Sequence, residues 1–277
     1  MTQPQTSFIS DGDDPRLSPY QCVRDPELAR TRGLFVAEGR LVVRRVIQSG
    51  RHRMRSVLVN EAAFSALGSV LEAFDAPVYV CRTATMAAVT GYNIHRGCLA
   101  LVERPAPMSA AAVVDGAHTI VALEDVANAD NVGGVFRNAA AFGAGVLLNA
   151  RCCDPLYRKA VRTSMGAVLS VPWARIDNWP TGLFALRDHR YAFVALTPRQ
   201  PARTLNAFAE CLNRQPVILI AGTEGTGLSA AVEQGADYRV RIPIANIVDS
   251  LNLAVAVGIA LSRLVPQYER SVDVGGR

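Results

Sequence analysis

Lysine is nearly absent from this chain of 277 residues: Lys159 is the only one among 29 basic residues, and the rest are arginine. That scarcity removes one reading at once. Gly222-x4-Gly227 has the glycine spacing of a phosphate-binding P-loop, but Leu228 and Ser229 follow it. Without the lysine that reaches the β- and γ-phosphates, a nucleotide triphosphatase is excluded. Long hydrophobic runs are missing too. No stretch approaches the ~20 apolar residues of a membrane span. Residues 1–20 are polar and acidic, unlike a basic-then-apolar leader, so a cytoplasmic protein is expected. The six cysteines (Cys22, Cys81, Cys98, Cys152, Cys153 and Cys211) show no C-x-x-C spacing and no nearby histidine pair. A zinc site is therefore not expected, nor any other metal, and the thiols read as reduced, mostly small core residues.

Apolar residues make up 50% of the chain, enough to build one large core or two ordinary ones. The formal net charge is +5, and its distribution says more than its total. Residues 21–60 carry nine arginines against only Asp25, Glu27 and Glu38. A planar guanidinium donates bidentately to phosphate, so a basic surface here suits RNA.

Two α/β regions follow from the hydrophobic pattern. Residues 1–20 hold little to bury and read as a disordered tail. In 21–104, Asp25-Pro26 opens a short helix that Gly33 ends, and 34–37 is a brief extended stretch. Helices are expected over 40–48, 61–74 and 83–90, and strands over 56–60, 78–81 and 97–103. The Pro- and Ala-rich segment 105–116 reads as a linker. The second region, 117–266, alternates strand and helix. Its strands are 119–123, 145–148, 169–172, 191–196, 217–221 and 238–242; its helices are 132–142 capped by Asn131, 158–168, 183–188 and 251–264. Residues 267–277 read as a frayed tail.

Within the second region three features converge. The β-branched run 217–221 leads into the loop Gly222-Thr-Glu-Gly-Thr-Gly227, the strand 238–242 stops at Pro243, and Asp249 or Ser250 caps the helix 251–264. Strand ends and a helix start meeting in one crevice make the usual ligand site of an α/β protein. Residues 251–264 are apolar almost all round, which calls for burial on most sides.

The combination of motifs is more specific than any one of them. Gly222-x-Glu224-x-x-Gly227-Leu228, then Ile242-Pro243, then Ser250-Leu251-Asn252, resembles motifs 2 and 3 of the SpoU (TrmH-type) RNA ribose methyltransferases. Upstream, Asn131-x-Gly133-x-x-x-Arg137-x-Ala139 with Ala141-Phe142-Gly143 resembles that family's motif 1. Phe35-Val36-Ala37-Glu38-Gly39-Arg40 and Gly91…His95-Arg96-Gly97-Cys98 look like the small ribosomal-protein-like RNA-binding domain that precedes many SpoU catalytic domains. There are departures: Asn128-Ala129 stands where Asp-Pro is common in motif 1, and Ile244 and Asn246 replace the usual Met and Gly of motif 3.

The resemblance implies a C-terminal SPOUT domain with a parallel sheet and a trefoil knot, a homodimer, and methyl transfer from S-adenosylmethionine to a ribose 2′-hydroxyl, most readily in rRNA. A tRNA substrate, or an RNA-binding protein that keeps the fold without the chemistry, are the alternatives. Carried over by motif, the catalytic set is Arg137, Asn131, Glu224 and Asn252, with Asn131 capping its helix, binding substrate, or doing both. Cofactor contacts fall on Gly222, Ile242 and Leu251, with Leu196 and Thr197 beside them. Ser250 lies at the cofactor's methionine end or only caps its helix. The RNA candidates are Arg40, Arg44, Arg45, Arg51, Arg53, Arg55, His95 and Arg162.

Overall fold

In the computed structural model, residues 6–21, 25–72, 74–91, 94, 97–245 and 247–265 are described. The chain forms two compact units. The first comprises residues up to Pro107 with Ala127–Arg137 and Cys153–Val171; the second comprises Met108–Val126, Asn138–Cys152 and the chain from Pro172 onward. The expected boundary at 105–116 thus marks the change of sheet, yet two later segments cluster with the first unit.

The first unit carries a five-stranded sheet of β1 (Thr6–Ile9), β2 (Leu34–Glu38), β3 (Met54–Asn60), β4 (Val78–Cys81) and β5 (Cys98–Glu103), in the order β1-β4-β3-β5-β2. β5 runs antiparallel to both its neighbours, and the other pairs are parallel. Around it lie α1 (Asp25–Arg32), α2 (Arg40–Ser49), α3 (Glu61–Glu72) and α4 (Thr83–Thr90). Two expectations fail here. The polar tail is structured from Thr6: β1 adds to the sheet beside Val78–Cys81, and Leu17 and Tyr20 are buried in the same core. The linker holds a helix, α5 (Ala110–Asp115), because the Ser109 hydroxyl accepts the Ala112 N–H and Val113 and Val114 find a core.

The second sheet consists of β6 (Thr119–Glu124), β7 (Gly145–Asn149), β8 (Trp173–Ile176), β9 (Ala192–Leu196), β10 (Arg203–Thr204), β11 (Val217–Gly222) and β12 (Tyr238–Arg241). All seven are parallel, in the order β10-β12-β9-β11-β6-β7-β8. Every residue of β6 and β7 is buried, as a sheet covered on both faces requires. The helices following α5 are α6 (Ala129–Phe142), α7 (Arg158–Thr163), α8 (Thr181–Phe184), α9 (Leu205–Cys211), α10 (Ala230–Gly235) and α11 (Leu253–Leu264). β8 lies beyond the expected 169–172. Gly166 takes a φ of +81° that ends the regular helix early, and Ala167–Leu169 is a short 3-10 turn.

Two helix starts are corrected. α6 begins at Ala129, and Asn128 rather than Asn131 stands in the capping place, its Oδ1 accepting the Asp130 N–H at 2.8 Å. α11 is capped by Asn252, not by Asp249 or Ser250. Within the single chain α11 turns Leu253, Val257, Ala260, Leu261 and Leu264 inward and leaves Val255 51% and Ile259 37% exposed.

Candidate functional site

The carboxyl ends of β9, β11 and β12 open into one crevice of about 750 Å³, counting the solvent at its mouth. Its walls include Leu196 and Thr197 at the end of β9, Gly222–Gly225 and Gly227 at the end of β11, and Ile242 and Ile244 after β12. Ser250, Leu251 and Leu253 at the approach to α11 complete it. All six residues expected to hold a cofactor, Gly222, Ile242, Leu251, Leu196, Thr197 and Ser250, therefore line the same cavity. Its lining is mainly apolar with a few polar groups, as small-molecule sites are.

Glycine is required here by space. After β11 the chain turns back on itself: Gly227 N–H donates to Thr223 O at 3.1 Å, and the two residues form an isolated antiparallel bridge. A Cβ on Gly222 would run into the Gly227 carbonyl and approach Leu228 N to 2.7 Å. Gly225 and Gly227 sit at φ of +92° and +71°, where a side chain is strained. The turn ends at Ser229, which caps α10 through a bond from Val232 N–H.

Glu224 and Asn252, assigned to catalysis from the sequence, are brought together. The Asn252 Nδ2 donates to Glu224 Oε1 at 3.0 Å, while its Oδ1 accepts the Ala254 and Val255 N–H groups. The amide cannot be replaced by a carboxylate without losing the first bond.

Asn131 and Arg137 lie on α6, in the portion belonging to the first unit. Asn131 is 5% exposed. Arg137 falls in the third turn of α6, is exposed, and makes no hydrogen bond or ion pair among the described residues. Gly133 is explained by packing: a Cβ there would meet Ala160 O at 2.7 Å and Thr163 Cβ at 2.8 Å, so α6 and α7 cross in close contact. Asp130 binds Lys159 Nζ at 2.7 Å and Thr163 Oγ1 at 2.9 Å across that crossing. These bonds, that to Lys159 first, hold its carboxyl below the usual value. One residue past Arg137, Asn138 Nδ2 donates to Ala254 O of α11 at 2.6 Å, within the second unit.

The arginines expected to meet RNA are all exposed, but unequally available. Arg53 and Arg55 share Glu103, Arg44 donates to Ala66 O, and Arg45 donates to Met165 O at 2.6 Å. Arg162 pairs with the buried Glu38 at 3.1 Å, and Arg158 approaches the same carboxylate at 3.5 Å. Arg40 and Arg51 have no such partner among the described residues. His95 lies outside the described residues.

Two side chains that bind the turn beside the crevice were not among those expected from the sequence. Glu124, at the end of β6, is 4% exposed and accepts from Ser229 N–H, Ser229 Oγ–H and Trp179 Nε1–H. Arg199, just past β9, donates to the carbonyls of Thr226 and Leu228. A charged residue immediately after an apolar strand is the only signal the sequence offered for Glu124. Among the cysteines, Cys81, Cys98 and Cys152 are buried, and burial pushes their thiols up, to about 11, 12 and 11. They are inert core residues at neutral pH.

Residues 118–262 match the model of the SpoU rRNA Methylase family, more than half of the chain. The chain belongs to the SpoU family. An uncharacterized tRNA/rRNA methyltransferase of Mycobacterium tuberculosis is 38% identical over 268 residues, which are 95% of this chain and 91% of that one. A counterpart in Mycobacterium bovis has the same identity and coverage. As a SpoU protein this chain is an RNA methyltransferase by class. Its fold is shared with an AdoMet-bound rRNA methyltransferase from Sinorhizobium meliloti (TM-score 0.76, 24% identity, 94% of this chain and 97% of that one). It is shared equally with the SpoU methyltransferase AviRb from Streptomyces viridochromogenes in complex with AdoMet (TM-score 0.77, 21% identity, 91% and 98%).

Proposed function

We propose that this SpoU protein methylates a ribose 2′-hydroxyl in structured RNA, rRNA above tRNA, using S-adenosylmethionine held in the crevice at β9, β11 and β12. One observation carries the reading: residues from three separated sequence stretches, Gly222, Ile242 and Leu251, line one crevice. The chemistry of that lining fits the cofactor. Ile242, Ile244 and Leu251 present apolar surface to a flat base, while the backbone around Gly222–Gly227 approaches closely enough to read its polar edge.

When bound, S-adenosylmethionine supplies an electrophilic methyl group. The chain's task is to orient the weakly nucleophilic hydroxyl and to help its proton leave. Arg137 is exposed and unengaged among the described residues, and a guanidinium stays protonated. Its role in this reading is to grip phosphate and polarise the hydroxyl, rather than to abstract the proton itself. Glu224 and Asn252 hold the rim of the crevice to the start of α11 through their mutual bond. Arg40 and Arg51, with Arg44, Arg45, Arg53, Arg55 and Arg162, supply phosphate contacts. A second copy of the chain covers the exposed apolar face at Val255 and Ile259. No helix among the described residues is long and apolar enough to cross a membrane.

The test is methyl transfer from labelled S-adenosylmethionine to rRNA and tRNA, followed by mapping of the ribose that resists alkaline cleavage. Label on a base instead of a ribose would overturn the assignment. Cofactor binding without transfer to either RNA would favour the non-catalytic alternative.

A further inference from the structure

One wall of the crevice is a segment with little to hold it by itself. Residues 223–229 contain Gly225 and Gly227, both at positive φ, and the turn closes on itself mainly through Gly227 N–H to Thr223 O. Glycine surrenders more backbone freedom on ordering than any other residue, so an isolated turn of this composition samples many shapes.

Besides Asn252, whose amide holds Glu224, two side chains from outside the turn grip it, one exposed and one buried. From the solvent side, Arg199 Nη2 donates to Thr226 O at 2.5 Å and Nη1 to Leu228 O at 3.1 Å. The same guanidinium lies 3.3 Å from Glu233 Oε1, and the buried Glu233 accepts the Thr197 hydroxyl at 2.8 Å. Arg199 therefore ties the Thr197–Pro198 wall of the crevice to the Gly225–Gly227 wall. From the interior, Glu124 Oε2 accepts Ser229 N–H at 2.8 Å and its Oε1 accepts the Ser229 hydroxyl at 2.7 Å. The third bond, from Trp179 Nε1 at 2.8 Å, fixes the carboxylate itself.

We propose that Arg199 and Glu124 are positioning residues for the ligand of the crevice, holding residues 223–229 in the shape that receives it before it arrives. The proposal rests on the reading of the crevice as the S-adenosylmethionine site. Neither residue is asked to touch the reacting atoms. Their effect is on affinity: a turn already ordered gives up little further freedom on binding, whereas a loosened one must be ordered by the ligand. The two carbonyls gripped by Arg199 require a planar fork with separate donors. A lysine keeps the charge beside Glu233 but cannot span both oxygens.

The experiment combines calorimetry, using S-adenosylhomocysteine as the probe, with hydrogen exchange of the ligand-free, full-length protein. Arg199→Ala and Arg199→Lys are each expected to weaken binding about tenfold, by loss of preordering. The amides of Gly225–Leu228 should exchange about tenfold faster in both variants without ligand, while exchange in β6 and β11 is unchanged. Glu124→Gln should act in the same direction. If it does not fold, Trp179→Phe tests the interior grip, because it removes the indole bond that fixes the carboxylate and leaves both the carboxylate and the α10 cap in place. Wild-type binding with an Arg199→Ala affinity within about twofold, and unaltered exchange in the turn, overturns this inference alone. Full rescue by Arg199→Lys also overturns it, since the ion pair with Glu233 would then be the whole effect. Wild-type protein that binds no S-adenosylhomocysteine overturns the cofactor reading, and this inference falls with it.

Discussion

Asn252 divides its side-chain amide between two tasks: Oδ1 caps α11, and Nδ2 donates to Glu224 Oε1 at 3.0 Å. Substitutions separate them. Asn252→Ala removes both and is expected to lower stability by about 1 kcal/mol, the usual worth of a cap. Asn252→Asp keeps an acceptor for the cap but sets a carboxylate against Glu224. Its melting temperature should stay near wild type while methyl transfer falls with that of the alanine variant. Thermal melts and methylation assays on both variants decide this, and an active Asn252→Asp enzyme would show that the Glu224 contact is dispensable.

Arg137 offers a cleaner dissection, because it is exposed and carries no partner among the described residues. Arg137→Ala is expected to abolish methyl transfer to RNA while leaving cofactor affinity and melting temperature close to wild type. Alanine is the best helix former, so α6 tolerates the change. Loss of an interaction made only in the transition state appears in turnover rather than in binding. Near-normal turnover would reduce Arg137 to a surface residue.

For RNA affinity, the arginines without partners should matter more than those already engaged. Charge reversal at Arg40 and Arg51 is expected to weaken binding more than the same change at Arg53 and Arg55, which share Glu103. Affinity should fall linearly in logarithmic salt, and the slope should shrink by about one for each phosphate contact removed. Filter binding across a salt series measures both. Deleting residues 1–105 is a poorer test, since the first compact unit also includes Ala127–Arg137 and Cys153–Val171.

Gly133 lies where α6 and α7 meet, with Ala160 O 2.7 Å and Thr163 Cβ 2.8 Å from the place of a Cβ. Backbone cannot yield as a flexible side chain can. Gly133→Ala should therefore destabilise the protein by about 1–3 kcal/mol, despite the better helix propensity of alanine. Denaturant melts give the value directly, and an unchanged or raised midpoint would mean the helices separate freely.

Asp25 supplies a pH dependence. Burial pushes its carboxyl above the usual range, against the opposing pull of the Arg158 charge and backbone N–H. A group whose folded value exceeds its unfolded value favours the native state when protonated, and that advantage is lost as pH rises through the folded value. Asp25→Asn keeps an acceptor for the Arg158 N–H and removes the titration. Its stability relative to wild type should accordingly increase from about pH 4 upward, as followed by denaturant midpoints at several pH values.

Local pattern was readable where local forces decide. The short apolar run ending at Cys81 and the segment from Thr83 to the αL glycine Gly91 appear as β4 and α4 with the expected limits. The crevice was legible because its motif residues sit at strand ends and one helix start, which the chain marks with glycine, proline and asparagine. What escaped depends on distant partners. Thr6–Ile9 is only four residues long and follows a polar stretch, and it becomes a strand because the edge of β4 is open to it. Ser109 capping and buried Val113 turn a supposed linker into α5. Asp249, Ser250 and Asn252 are all chemically fit to cap α11, and backbone geometry selects the last. Glu124 and Arg199 gain meaning only from the turn they grip, a hundred residues away from the first of them.

The isolated lysine has a use of its own. Lys159 sits inside α7, its amine bound to Asp130 at 2.7 Å. A lysine-specific protease therefore meets one cleavable peptide bond in the whole chain, and that bond is wrapped in helix. Cutting requires α7 to open locally, so the rate of a single, unambiguous nick becomes a clock for the parting of α7 from α6. A ligand that firms the crossing beneath Asn131 would slow that clock with no label, no fluorophore and no substitution in the protein.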